Sequence, residues 1–140
     1  MNNLAVSLKS QGRYDEAEKM HRATLEKRMV VLGEHHPDTL LSMYNLANSL
    51  DDQGRFDEAE KMHWATLEKR MVVLGEDHPD TLRTMNNLAN SLHSQGRYDE
   101  AVGLYRIALE KFQALYGDDH PHTVLVKGNL KLIEDRIGKS

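Results

Sequence analysis

Apolar residues recur along this chain at i, i+3, i+4 and i+7, and the same stripe returns three times. Met1, Leu4, Ala5 and Leu8 form the first copy, Met43, Leu46, Ala47 and Leu50 the second, and Met85, Leu88, Ala89 and Leu92 the third. That spacing lines one face of an α-helix. Val, Ile and Thr show no period-two alternation, so no strand is predicted. Each stripe ends at a QGR tripeptide, whose glycines, Gly12, Gly54 and Gly96, stand 42 residues apart. Glycine permits the positive φ that a tight interhelical turn requires, so three equivalent turns are predicted. A second helical stretch follows each turn, for example Phe56 to about Leu74. Asp57 and Glu58 occupy its first turn, where carboxylates favour the helix dipole. Ala59, Met62, His63, Thr66 and Leu67 form its inner face, and Gly75 ends it.

The connection between units carries the residues that most resemble chemistry. VLGEHHPDTL occupies 31–40, VLGEDHPDTL 73–82 and LYGDDHPHTV 115–124. Pro37, Pro79 and Pro121 fit the first turn of a helix, where a missing N–H costs little. Asp38 and Asp80 follow at the positive end of the dipole, and the residue before each proline is held extended and suited to capping. The HPDT element therefore predicts a helix start. His35 and His36 point apart on an extended segment, and no two histidines lie at the i, i+4 spacing of a helical zinc site, so no metal site is expected. His122 is the least unfavourable candidate. His21 and His63 share an inner position with Tyr105 of the third copy, which argues for packing.

Residues 12–40 and 54–82 differ at three of 29 positions, Tyr14/Phe56, Arg22/Trp64 and His35/Asp77. A fixed period of this kind predicts an all-α repeat array, a superhelix of stacked helix pairs. Seven helices are expected, at about 2–11, 14–32, 37–53, 56–74, 79–95, 98–116 and 121–137. The whole chain, 1–140, reads as one array. Repeat 1 covers about 1–36 and is truncated at its N-terminus, repeat 2 about 37–78, repeat 3 about 79–120, and a capping helix about 121–138. In that last helix Lys127, Lys131 and Glu134 replace apolar stripe residues, while Val126, Leu130, Ile133 and Ile137 keep another face apolar. Because the chain opens inside a repeat, it reads as a fragment or engineered segment of a longer array. Zero cysteines exclude disulfides, thiolate catalysis and cysteine-ligated zinc, and suit the cytoplasm. A net charge of −4 with interspersed signs gives no basic footprint for nucleic acid. No apolar run approaches membrane length, and no leader is evident.

Helix, glycine turn, helix, with NLANSLDDQGRFDEA at the centre, resembles the tetratricopeptide repeat. Leu46, Ala47, Leu50, Gly54, Phe56, Ala59 and Leu67 stand at that family's small and large positions, as do Tyr98, Ala101, Tyr105, Ala108 and Leu109. His63 and Thr66 depart from it. The 42-residue period and LGEDHPDTL…MNNLANSL are more specifically similar to kinesin-light-chain-type repeats, also found in the sensor arrays of fungal and bacterial NOD-like receptors. The resemblance implies a right-handed superhelix whose first helices line a concave groove that takes a protein or an extended peptide, with no cofactor. Positions off the core stripe on those helices are the candidate groove residues: Tyr44, Asn45, Asn48 and Asp52 in one copy, Arg83, Asn86, Asn87, Asn90 and His93 in the next. Leu41, Asp51 and Ser94 share their faces. An asparagine offers donor and acceptor together and suits a peptide backbone of any sequence; the alternative is that these amides pair with neighbouring helices or water. The resemblance supports a binding role for Asn45, Asn87 and Asn129, and for Asn48 and Asn90. The lysine clamp of chaperone-binding relatives is incomplete, because Tyr44 and Asn86 occupy its lysine positions. The basic groove that kinesin light chains turn to acidic cargo is reduced to Lys9, Arg83 and Lys127, against Asp51 and Asp52.

The favoured function is thus a peptide- or protein-binding scaffold. The alternative is a structural, self-associating fragment of a larger NOD-like receptor or kinesin-light-chain-like protein. Catalysis is not expected, since no nucleophile–base pair or phosphate-binding glycine loop appears. Replacing Asn48 and Asn90 by alanine is expected to weaken a bound peptide and to spare thermal stability, both residues lying off the apolar stripe. Met1, Leu4 and Leu8 are expected to pack on the helix at 14–32. That leaves an open N-terminal end, which either pairs two copies into a homodimer or frays over 1–11.

Overall fold

A computed structural model of the chain describes residues 3–138, with side chains from Arg13 onward. Six helices follow one another: α1 (Asn3–Leu32), α2 (Pro37–Asp52), α3 (Phe56–Val73), α4 (Pro79–Ser94), α5 (Tyr98–Tyr116) and α6 (Pro121–Gly138). No strand occurs among the described residues. Each helix packs on the next, and α2 also touches α4, so the chain stacks helix pairs into a superhelical array.

Two kinds of turn build the stack. At the QGR turns the helix closes in a Schellman arrangement: Arg55 N–H bonds Leu50 C=O at 2.9 Å and Gly54 N–H bonds Asp51 C=O at 2.9 Å. Arg97 and Gly96 repeat both bonds on Leu92 and His93. Gly54 has φ 78° and Gly96 φ 79°, the left-handed region that a β-carbon disfavours. A side-chain clasp then holds each turn. Gln53 Nε2 donates to Glu18 Oε1 at 3.0 Å, and Arg55 binds the same oxygen. Gln95 and Arg97 clasp Glu60 in the same way, at 3.0 and 2.5 Å. Hydrogen bonding from Arg22 holds the Glu18 carboxyl below its ordinary value, with burial working against it.

At the other turns the HPD element caps the next helix, as its sequence predicts. His36 stands extended at φ −68°, ψ 138°, and its Nδ1 accepts the Asp38 N–H at 3.0 Å. His78 does the same for Asp80 at 3.0 Å, and His120 for His122 at 3.2 Å. Thr39 and Thr81 hydroxyls donate back to the carbonyls of Gly33 and Gly75 and close the turn. His36 of EHHPD is therefore architecture, an acceptor at a helix N-terminus, while His35 is exposed beside Glu34.

The expectation of a third equivalent turn at Gly12 is overturned. α1 runs unbroken through it, so the two helices expected at 2–11 and 14–32 are one, and the count is six instead of seven. Gly54 and Gly96 are each secured by a clasp from a glutamate 36 residues upstream. At Gly12 helical hydrogen bonding continues, since glycine permits a turn without compelling one. The expected packing of Met1, Leu4 and Leu8 lies outside the described side chains.

The core sits along the inner faces. Leu46, Leu50 and Ala59 cluster between α2 and α3. A larger cluster joins α3 to α6 through Leu82, Leu88, Tyr105, Phe112, Val126 and Ile133. On α6, Val126, Leu130 and Ile133 are buried while Lys127, Lys131 and Glu134 are exposed, though Val124, Leu125 and Leu132 are exposed too.

Candidate functional site

The first helices of each pair, α2, α4 and α6, share one face of the array, and two adjoining clefts open there. The larger holds about 380 Å³ between α2, α4 and the start of α3, lined by Tyr44, Asn48, Asp52, Phe56, Asn87 and Asn90 among others. The smaller, of about 180 Å³, runs on toward α6 between Tyr44, Arg83, Asn87, His122 and Leu125. Tyr44 and Asn87 border both.

Of the residues expected in the groove, Asn48, Asp52, Asn87 and Asn90 line the larger cleft, and Arg83 and Asn86 the smaller. Asn45 is half-buried and His93 lies beyond, both outside these two clefts. Asn86 is buried, and its Oδ1 accepts Asn129 Nδ2 at 3.1 Å. Asn87 Nδ2 donates to Asn48 Oδ1 at 3.1 Å, and the Tyr105 hydroxyl donates to Asn90 Oδ1. The asparagine ladder thus pairs across neighbouring helices while still facing the cleft. Each of these bonds uses one of the four positions an amide offers.

This wiring corrects one expectation. Asn48 and Asn90 lie off the apolar stripe, yet both are hydrogen-bonded across helices, so removing their side chains is expected to cost stability. Tyr105 is fully buried, and its hydroxyl would lose its acceptor with Asn90.

The charges divide between the clefts. Asp51 and Asp52 stand at the larger. Burial, and then its neighbour Asp51, raises the Asp52 carboxyl above its ordinary value. Asp51 itself ties three helices: it accepts the Ser91 hydroxyl at 2.5 Å through Oδ1 and sits 2.8 Å from His63 Nε2 through Oδ2. Serine and imidazole both bind the carboxylate, so the imidazole is engaged away from the hydroxyl, and the trio lacks the wiring of an activated nucleophile. At the smaller cleft two guanidinium groups lie over the Tyr44 ring, Arg70 at 4.8 Å and Arg83 at 5.4 Å from its centroid. Arg70 is buried and donates to Thr84 Oγ1 at 2.9 Å; burial lowers its pKa. His93 packs edge-on to Tyr98 and takes a bond from Arg136 at 2.9 Å.

Phe112, His122, Leu125 and Val126 line the smaller cleft and were missed from sequence. Their signal is departure from the period. Arg28 bonds Ser42 at 2.8 Å and Arg70 bonds Thr84, but 42 residues on the pair is Phe112 and Val126, both buried. One polar contact is rewritten as an apolar one at the last interface.

Two family models, both described as tetratricopeptide repeat, match residues 1–68 and 81–122. Together they cover most of the chain, which belongs to the tetratricopeptide repeat family, in an array of the kinesin-light-chain-like type. Among solved structures, the chain is similar to the nearly identical TPR-like repeats of a Podospora anserina protein assigned as a kinesin light chain. There the TM-score is 0.85 at 22% identity, over 96% of this chain and 64% of that one. A point-substituted form of those repeats gives 0.83 at 22% identity, over 93% and 61%. BtubC (BKLC) of P. vanneervenii gives 0.78 at 28% identity, over 89% and 49%. This chain therefore spans less than two thirds of each of these relatives. No curated protein sequence matches it. Tetratricopeptide repeats generally mediate protein–protein interaction and are scaffolds rather than catalysts. No described helix is long and apolar enough to cross a membrane.

Proposed function

We propose that this array binds an extended peptide, or an extended segment of a partner protein, along the face of α2, α4 and α6. The observation that carries this reading is the pair of clefts joined at Tyr44 and Asn87, one amide-lined and acidic, the other apolar with an arginine at its rim. Amides at the larger cleft suit a peptide backbone. Asp52 there suits a basic side chain, and the Leu125 side of the smaller cleft an apolar one. A basic residue followed along the strand by an apolar one is the matching ligand. The acidic ligands of a basic groove do not match these charges.

A library of extended peptides screened against the chain tests this. Selected binders should be enriched in Lys or Arg near an apolar residue. Asp52→Asn should weaken the best of them about tenfold, the scale of one charge-assisted bond. Asp52 is exposed, so the fold should hold. Equal affinity for the variant in calorimetry would place the site on another face.

A further inference from the structure

We propose that the larger cleft is a subsite for one arginine side chain of the bound segment, selecting arginine over lysine. This rests on the groove reading above and narrows its basic residue to one kind. Asn48, Asp51 and Asp52 follow one another at i, i+3 and i+4 over the last turns of α2, and Phe56 opens α3 just beyond the turn. Asn87, Asn90 and Ser94 face them from α4, at i, i+3 and i+7. At about 380 Å³ the cleft is within the range of small-ligand sites, roughly 300–1,000 Å³. The bonds already made leave a definite set of free groups in it. Asp51 is committed to Ser91 and His63. Asp52 has neither hydrogen bond nor ion pair among the described residues; burial, and then Asp51, raise its carboxyl. Asn87 Oδ1 is unused, and the Oδ1 atoms of Asn48 and Asn90 have each accepted one bond of the two they can take. The Phe56 ring carries no cation and no second ring among the described residues.

An unpaired carboxylate, a free aromatic face and a row of amide oxygens are the complement of a guanidinium. That group offers five N–H donors in a planar fork, is weakly hydrated and stacks on a ring. An ammonium offers three donors around a strongly hydrated point charge. The next interface along the array shows the corresponding place filled. Forty-two residues on from Asp51, Phe56 and Ser94 stand His93, Tyr98 and Arg136. Arg136 reaches from α6 to His93 Nε2 at 2.9 Å, and His93 packs edge-on to Tyr98. There the array supplies its own guanidinium. Between α2 and α4 the position of that arginine holds the short side chain of Ser94. Asp51 and Asp52, in turn, stand where the next copy has His93 and Ser94. The acceptor side of the contact is strengthened and its cation withdrawn, so the cation comes from the ligand.

Titration with single residues, without any peptide, provides the test. N-acetyl-arginine amide and N-acetyl-lysine amide are each added to the chain up to about 50 mM at fixed ionic strength. The side-chain amide signals of Asn48, Asn87 and Asn90 are followed by NMR. The arginine derivative should shift all three, and the lysine derivative should bind about tenfold more weakly. Ser94→Arg copies Arg136 and should fill the cleft from within, weakening the arginine derivative by about tenfold or more. Ser94 is exposed at the end of α4, so the circular dichroism of this variant should match wild type. Equal affinity of the two derivatives for the wild-type chain, or no shift with either, would overturn the proposal without recourse to a variant. So would an arginine response undiminished in a folded Ser94→Arg chain. Peptides that bind equally well with lysine or arginine would leave the groove reading standing and sink the arginine subsite. Peptides that never bind, beside an arginine response, would do the reverse.

Discussion

At the scale of single residues, two buried side chains show how the repeat tolerates substitution. His63 and Tyr105 occupy the same position in successive copies, both with no exposed surface. Each reaches back to the preceding helix, His63 to Asp51 and Tyr105 to Asn90. The acceptor moves with the donor, so the polar tip stays satisfied. Asn90→Ala should therefore cost about 1–3 kcal/mol, the penalty for stranding a buried hydroxyl; Tyr105→Phe on the same background should recover part of it. Urea denaturation of the three proteins checks this, and additive losses would refute the coupling. The packing role of this position was readable from the histidine–tyrosine replacement. Its acceptor was not, because Asp51 and Asn90 differ in both identity and register. Two other histidines predict a pH response. Burial, and then Arg136, holds His93 below its ordinary value of 6.5; burial, and then His120 and Arg83, does so for His122. A base with lowered proton affinity in the fold binds fewer protons folded than unfolded. Its stabilisation is complete above 6.5 and declines as the pH falls below it. The urea midpoint should drop between about pH 7.5 and about pH 5.5, and His93→Gln with His122→Gln should flatten the drop.

At the scale of elements, the same tripeptide does two different things. QGR closes α2 and α4 but runs through the middle of α1. Glycine permits a turn without compelling one. At Gly54 and Gly96 a clasp from Glu18 or Glu60 holds the turn, and its glutamate lies 36 residues from the glycine. A reading based on local pattern finds all three glycines equivalent, and is right for Gly54 and Gly96. Alanine scanning separates the cases. Gly54→Ala should cost about 1 kcal/mol, because its φ is positive. Gly12→Ala should raise helix content and stability by up to about 1 kcal/mol. Equal losses at both positions would restore the turn at Gly12. The HPD caps, by contrast, were legible in full, since proline, histidine and aspartate act on one another within three residues.

At the scale of the whole molecule, stability is a chain of neighbouring interfaces, and their composition changes along it. Arg28 with Ser42, Arg70 with Thr84, and Phe112 with Val126 are successive versions of one contact. Thr84→Val alone should destabilise by about 1–3 kcal/mol, as the buried Arg70 loses a side-chain acceptor; adding Arg70→Phe should restore most of that, copying the last interface. A double variant as weak as the sum of its parts would deny the equivalence. The superhelix was legible because three copies keep one period. The smaller cleft was not, because it arises where the third copy abandons that period. The clasps give the array a direction as well. Each glutamate stands upstream of the turn it secures, so during synthesis the residue that fixes a bend always leaves the ribosome before the bend itself. Helix pairs are then added in order behind a finished template. A circularly permuted chain opening at Gly75 would make Gln95 and Arg97 before Glu60, and its second bend would have to wait for the clasp that secures it.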